Sequence, residues 1–233
     1  MIWKAENNAV CAAGPRRSHQ LYHGDTEYVT KTSSSADINQ DRLRHLRTVF
    51  LDRDGVLNEK MPEGQYVTCR EEFRLLPGVA EAIRHLNHSG LTVILVSNQR
   101  GIALGLYTAA DVDAIHAWLR TILESHGAHL DGIFYCPHDK GDCDCRKPMP
   151  GLFQQAVMNF PDIDAHSSMI IGDSLSDIEF GRRLGMMSIL IEGDPTRRKP
   201  GTEEARRLAD FTCPSLAEAV DLLLDARALR TSL

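Results

Sequence analysis

The sequence predicts an α/β fold in which one parallel sheet lies between two layers of helices. Short apolar segments rich in β-branched residues alternate along the chain with segments whose apolar residues recur at helical spacing. The segment 91–97 is apolar without alternation, which is typical of a strand buried on both faces. The sequence contains no repeats and no second set of core segments, so its 233 residues predict one domain, 47–233.

The predicted elements alternate between strand and helix along the whole domain. The predicted strands are 48–52, 91–97, 132–135, 168–173, 187–191 and 210–212. The predicted helices begin near residues 78, 108, 150, 176, 202 and 215. Thr108 and Asp111 have the spacing of a capping box at one of these starts. The segment 55–76 lacks helical periodicity and is short, so we expect no large cap domain.

Residues 1–46 are polar and show little apolar periodicity. Such a segment cannot bury enough apolar surface to offset the entropy of ordering, which predicts a mobile N-terminal extension. Its Arg-rich end, 41–47, is either a short basic helix or the approach to the first strand, and we favour the approach.

Charge and cysteine usage exclude several classes of protein. The net charge is −6 with both signs interspersed, so we expect no nucleic acid or membrane partner. The longest apolar run, 93–96, is far too short to span a bilayer, and no secretory signal is visible. We therefore expect a cytoplasmic monomer. Cys11, Cys69 and Cys213 are scattered along the chain and are predicted to be free thiols.

Polar residues follow four of the predicted strands, either where the strand ends or, for the third strand, at the end of the loop 136–147. They are Asp52 and Asp54, Ser97 with Asn98 and Gln99, Arg146 and Lys147, and Asp173 with Asp177. Parallel strands end at the same edge of a sheet, so these groups should converge. Carboxylates from two strand ends form an oxygen site that suits Mg²⁺, and a lysine and a hydroxyl beside it suit phosphoryl oxygens.

This combination predicts phosphoryl transfer to an aspartate. Asp52 would be the nucleophile, whereas Asp54 would protonate the leaving oxygen and later activate water. Ser97 and Lys147 would assist by contacting the transferred group.

A second cluster of ligands lies within ten residues of the chain. Cys136, His138, Cys143 and Cys145 form a Cys₃His set, which gives Zn²⁺ a closed tetrahedral site. The alternative is a disulfide between two of these cysteines, which is disfavoured in a cytoplasmic protein. A zinc ion here would shape the loop and hold Arg146 and Lys147 in register with the phosphate.

The motifs at the strand ends match a known family in order. Asp52–Val56, Ser97–Gln99, Lys147 and Gly172–Asp177 resemble the four motifs of the haloacid dehalogenase superfamily phosphatases, over residues 47–195. This resemblance implies a Rossmann-like domain and an aspartyl-phosphate intermediate. It also implies Mg²⁺ bound by Asp52, the backbone carbonyl of Asp54 and Asp173, with Asp177 supporting the metal site.

The cysteine-rich loop resembles the zinc-loop branch of that superfamily, which contains heptose bisphosphate 7-phosphatases and histidinol-phosphatase domains. Segments 97–105 and 148–151 are closer to the heptose enzymes, but Arg100 and Leu104 stand where those enzymes usually have serine and arginine. The four residues between His138 and Cys143 are closer to the histidinol-phosphatase form.

The resemblance therefore implies a Mg²⁺-dependent phosphatase whose small-molecule substrate is a sugar phosphate. We expect it to remove the 7-phosphate of D-glycero-D-manno-heptose 1,7-bisphosphate. By analogy with the family, Asn98, Gln99, Arg100 and Arg146 would line the substrate. The alternatives are hydrolysis of histidinol phosphate, hydrolysis of nucleic-acid 3′-phosphate ends, and a non-catalytic phosphosugar-binding module.

Overall fold

The computed structural model describes residues 35–197 and 200–228. Within these ranges a six-stranded, entirely parallel sheet has the strand order β3-β2-β1-β4-β5-β6. The strands are β1 (Thr48–Leu51), β2 (Thr92–Asn98), β3 (Gly132–Cys136), β4 (Ser168–Gly172), β5 (Met187–Ile191) and β6 (Phe211–Cys213). The helices are α1 (Ser35–Arg44), α2 (Val79–His88), α3 (Ala109–Ser125), α4 (Gly151–Asn159), α5 (Leu175–Leu184), α6 (Thr202–Leu208) and α7 (Leu216–Ala228).

The structure confirms the predicted three-layer α/β fold. Side chains alternate between the two faces of β1, because successive residues of a strand point in opposite directions. Val49 and Leu51 lie in a core shared with α2, α3 and α7, whereas Phe50 lies in a second core with α4 and α5. Both faces of the central strands are therefore buried, which explains their uninterrupted apolar sequence.

The capping box predicted at the start of α3 is present. The Thr108 hydroxyl accepts from the backbone N–H of Asp111 at 3.2 Å, and the Thr108 backbone N–H donates to the Asp111 carboxylate at 2.8 Å. These bonds satisfy backbone groups that would otherwise lack partners at the helix start. Segment 55–76 forms turns and isolated bridges and contains no helix, which agrees with the prediction of no large cap domain.

The start of the fold differs from the prediction. Residues 41–44 of the Arg-rich segment belong to helix α1, and 45–47 lead from it to β1. Leu43 and Leu46 are buried in the core, α1 packs against α7, and Arg227 donates to the carbonyl of Leu46. Two buried leucines are too few to produce a helical period in the sequence. The contribution of α1 to the core is therefore evident only from its packing in the structure. The rest of the predicted extension, 1–34, lies outside the described residues.

The topology places the carboxyl ends of β1 and β4 side by side. The chain builds β1, β2 and β3 on one side and then crosses to β4 on the other side of β1. A crevice forms outside the strand ends where the direction of winding reverses, and ligands bind there in open α/β sheets. Within the described ranges, every helix is too short or too polar to traverse a lipid bilayer.

Candidate active site

The site is centred on Asp52, the first residue after β1. Its backbone N–H continues the sheet by donating to the carbonyl of Ile171 at 3.0 Å. The Asp52 side chain accepts from Lys147 Nζ at 2.9 Å, and the same ammonium lies 2.6 Å from Asp177 Oδ1 and 2.7 Å from the Val96 carbonyl oxygen. The ammonium thus donates hydrogen bonds to Asp52 and Val96 and forms an ion pair with Asp177. Lys147 therefore supplies positive charge to the site and fixes Asp52, and its contact with a phosphoryl oxygen stays a prediction.

Two carboxylates share this single buried ammonium. Burial alone would lower the pKa of Lys147, but the charges of Asp177 and Asp52 outweigh it and place the pKa above its ordinary value. Burial raises the pKa of Asp52 to about 6, since the attraction of Lys147 is opposed by Asp177 and Asp173. Burial therefore dominates the shift of Asp52, whereas the neighbouring carboxylates dominate the shift of Lys147.

Carboxylate oxygens of Asp52, Asp173 and Asp177 all lie within 4.8 Å of one another, and all three residues are buried. Buried carboxylates at this separation repel one another, and the ammonium groups of Lys147 and Lys60 balance two of the three negative charges. A hard divalent cation such as Mg²⁺ prefers such oxygen ligands. The donor set therefore fits the predicted metal.

Asp173 follows β4 and is approached by a residue that the sequence did not reveal. Lys60 Nζ contacts Asp173 Oδ2, and the Lys60 side chain is largely buried. Gly55 explains how the two aspartate motifs come so close, because a Cβ at this position would collide with the Asp173 carboxylate. Lys60 lies in the irregular segment 55–76, where nothing in the sequence distinguishes it from a solvated lysine.

Asp54 is held by three side chains. Arg53 Nη2 lies 2.9 Å from Oδ2, Asn58 Nδ2 donates to Oδ1 at 3.0 Å, and Gln99 Nε2 donates to Oδ2 at 3.2 Å. Burial would raise the pKa of Asp54, but Arg53 and these hydrogen bonds hold it below its ordinary value. The structure therefore fixes the orientation of this carboxylate by contacts on both of its oxygens.

Asn98 and Gln99 form hydrogen bonds with the protein, and their predicted contacts with the substrate stay predictions. The Asn98 amide donates to the carbonyl of Lys147 and accepts from its backbone N–H, both at 3.0 Å. Gln99 is 1% exposed and donates to Ser97 Oγ at 2.7 Å as well as to Asp54. Both amides orient predicted catalytic residues. Their partners lie elsewhere in the sequence, so these bonds could not be predicted before the loops were placed in the fold. Ser97 is buried, and its own hydroxyl hydrogen is not consumed by Gln99.

Arg100 is engaged by the cysteine-rich loop. Its Nε donates to Asp139 Oδ1 at 2.5 Å and its Nη2 donates to Oδ2 at 3.2 Å. This two-point bond joins the loop after β2 to the loop after β3, and it holds the pKa of Asp139 at about 2. Arg100 thus clamps two loops in the structure. Substrate contacts by Arg100 and by Arg146, whose Nη1 is buried, stay predictions.

The four predicted zinc ligands converge. Their Nδ1 and Sγ atoms lie within 4.8 Å of one another, with Cys145 Sγ 3.2 Å from His138 Nδ1 and 3.3 Å from Cys143 Sγ. Cys136, Cys143 and Cys145 are free thiols, with sulfur separations above the ~2.05 Å of a disulfide. The structure thus supports the metal alternative over the disulfide. Cys69 and Cys213 are also free, as predicted, and Cys11 lies outside the described residues.

Replacing Lys147 with methionine is expected to lower the free energy of unfolding by about 3–5 kcal/mol, because Asp52 and Asp177 would lose their shared buried counter-charge. Denaturant titration followed by circular dichroism measures this change. Lys140→Met is the matched control, since Lys140 is exposed. A Lys147 variant as stable as the control would contradict the importance of this pairing.

Comparison with known proteins identifies the family. A D-glycero-β-D-manno-heptose-1,7-bisphosphate 7-phosphatase of Pasteurella multocida is 35% identical over 184 residues, which cover 76% of this chain and 96% of the relative. The chain belongs to the haloacid dehalogenase superfamily phosphatases. The family model described as HAD-hydrolase-like matches residues 144–219, the part that contains Lys147, Asp173 and Asp177. The resemblance predicted from the motifs is therefore confirmed, and the chain is a phosphoric monoester hydrolase.

Other relatives of this phosphatase carry names for both anomers. The Rhodopseudomonas palustris relative, a β-anomer enzyme by name, is 39% identical over 62% of this chain and 83% of its own length. The Mycobacterium bovis relative, an α-anomer enzyme by name, is 40% identical over 62% of this chain and 76% of its own length. Sequence identity thus does not separate the two anomers.

A solved structure gives the same assignment of fold. The D,D-heptose 1,7-bisphosphate phosphatase of B. bronchiseptica, complexed with magnesium and phosphate, superposes with a TM-score of 0.68 at 32% identity. The match covers 77% of this chain and 99% of that one. The Rossmann-like fold of the superfamily is thus established for this phosphatase.

Proposed function

We propose that this phosphatase removes the 7-phosphate of D-glycero-D-manno-heptose 1,7-bisphosphate. The observation that carries the proposal is the similarity to relatives of that name, at 35–39% identity over 83–96% of their length. The zinc-type Cys₃His cluster supports it, because the sequence resemblance associates such a loop with this branch of the superfamily.

The catalytic roles follow from the arrangement at the strand ends. Asp52 would attack the phosphorus atom, and the bond from phosphorus to the sugar oxygen would break while Asp54 gives that oxygen a proton. Lys147 would hold Asp52 in line through its 2.9 Å bond. Asp54 would then take a proton from water, whose oxygen attacks phosphorus and releases Asp52.

Asp54 must carry a proton in the first of these steps, although its surroundings favour the ionised form in the free enzyme. An incoming phosphoryl group brings negative charge to the same small volume, which favours protonation of a neighbouring carboxylate. The hydroxyl of Ser97, which accepts from Gln99, would donate its own hydrogen to a phosphoryl oxygen.

Mg²⁺ would be held by Asp52, Asp173 and the backbone carbonyl of Asp54, with Asp177 in support. It would supply positive charge to the transferred phosphoryl group and to the crowded carboxylates. Zn²⁺ would be held by the Cys₃His cluster, which leaves no ligand position for water and so has a structural role.

The substrate assignment is tested by phosphate release in Mg²⁺ from the two heptose bisphosphate anomers and from histidinol phosphate. We expect kcat/KM for one heptose anomer to exceed that for histidinol phosphate by about 100-fold or more, because the sugar hydroxyls and second phosphate offer contacts that histidinol lacks. Phosphorus NMR of the product identifies the phosphate removed. Preference for histidinol phosphate, or loss of the 1-phosphate, would contradict the proposal.

A further inference from the structure

Tyr107 connects the loop after β2 to the predicted acid/base residue. It precedes Thr108, the N-cap residue of α3, it is 6% exposed, and its hydroxyl donates to Gln99 Oε1 at 2.9 Å. Its ring also lies against Tyr66, with ring centroids 5.9 Å apart. The hydroxyl of a buried tyrosine needs a partner, and here that partner is an amide of the site.

The orientation of the Gln99 amide matters because its two ends are chemically opposite. In the observed orientation Nε2 donates to Ser97 Oγ at 2.7 Å and to Asp54 Oδ2 at 3.2 Å. A half-turn of the amide would place Oε1 against the Asp54 carboxylate and lose both donated bonds. The acceptor-only Asp54 carboxylate disfavours that rotation, and the Tyr107 hydroxyl satisfies Oε1 at the other end of the amide. Without the hydroxyl the buried Oε1 would lose this partner, and the Gln99 side chain could shift away from Asp54.

Gly101 makes room for the Tyr107 ring. A Cβ at residue 101 would overlap the ring and hydroxyl of Tyr107. The loop passes directly over the tyrosine at this glycine. This close approach keeps the ring where its hydroxyl reaches Gln99 Oε1.

We propose that Tyr107 is a positioning residue for the acid/base step. It locks the Gln99 amide so that Gln99 holds Asp54 in the orientation from which the proton reaches the leaving sugar oxygen. This inference rests on the proposed role of Asp54, and it assigns Gln99 to positioning although the sequence had suggested substrate contact.

The test compares two leaving groups in Tyr107→Phe, which keeps the ring and removes only the hydroxyl. The expected kcat/KM for the heptose bisphosphate falls about 10–100-fold, since an alkoxide must be protonated as it leaves. The expected kcat/KM for p-nitrophenyl phosphate falls by no more than about threefold, because an acidic phenol leaves without a proton. A purely structural effect would lower both values equally.

Two further variants complete the experiment. Tyr135→Phe is the matched control, since that hydroxyl bonds Asp113 at the protein surface, and it should leave both substrates unaffected. Gly101→Ala should reproduce the selective loss by displacing the Tyr107 ring.

The outcomes separate this inference from the function on which it rests. Asp54→Asn should show the same selective loss as Tyr107→Phe, but larger. The role of Tyr107 alone would be overturned if Asp54→Asn showed the selective loss and Tyr107→Phe did not. In that case Tyr107→Phe would either keep wild-type values or lose activity equally on both substrates. Equal losses for the two substrates in Asp54→Asn would overturn the role of Asp54 itself.

Discussion

Replacing Asp52 with asparagine is expected to abolish phosphate release, by roughly 10⁴-fold or more, because the amide cannot form the phosphoryl-enzyme bond. The fold should survive this change. Asp52 is one of three buried carboxylates that share Lys147 and Lys60 as counter-charges, so the neutral amide removes repulsion as well as attraction. Colorimetric phosphate assay measures the loss, and thermal unfolding measures Tm.

The control for this variant is Asp221→Asn, on an exposed position of α7, which should keep full activity. A phosphorylated enzyme trapped by rapid quench from the wild type, and absent from Asp52→Asn, would locate the intermediate on this residue. Normal turnover by Asp52→Asn would exclude a covalent mechanism through Asp52.

The second large effect is expected at the Cys₃His cluster. Cys145→Ser should lower the zinc content from one ion per chain to a small fraction and lower Tm by roughly 8–16 °C. A bound cation whose free concentration is about 1,000 times its Kd adds about 4 kcal/mol to the free energy of unfolding. Each kcal/mol corresponds to a change in Tm of about 2–4 °C in a domain of this size. Activity should fall with it, because Arg146 and Lys147 follow Cys145 directly in the chain.

Metal analysis of the purified protein and a thermal scan with and without a chelator measure these effects. Cys69→Ser is the matched control, since Cys69 is a free thiol outside the cluster. Full retention of Tm after complete removal of zinc would contradict a structural role. A chelator effect on Cys69→Ser that differs from its effect on the wild type would point to a ligand set other than the one proposed.

The alternation of strands and helices was readable because each buried element obeys a simple periodicity. The continuous apolar segment of β2 and the Thr108 capping box are local patterns, so their predicted positions agree with the structure. The predicted convergence of Asp52 and Asp173 also agrees, because parallel strands must end at one edge of a sheet, and the loop after β3 brings Lys147 to Asp52.

The sequence could not reveal contacts between side chains that lie far apart along the chain. Asn98 and Gln99 carry polar groups after β2, and such groups suit a substrate as well as they suit the protein interior. Their partners are Lys147 and Tyr107, which only the folded loops bring within hydrogen-bond distance. The residues that flank Arg100 in the sequence likewise give no indication of its partner. Its two-point bond to Asp139 depends on the path of the cysteine-rich loop.

The sequence alone was enough to predict phosphoryl transfer, because the prediction depends on the types of residue that follow the strands, Asp52 among them, and on their order along the chain. Tertiary structure decided how that chemistry is held in place. Two aspartates share Lys147, and Lys60 reaches Asp173 from an irregular segment. Tyr107 bonds to Gln99, and Gly101 leaves the space that the Tyr107 ring occupies. Each of these depends on the separation of side chains distant in sequence, which is set by packing and not by any local pattern.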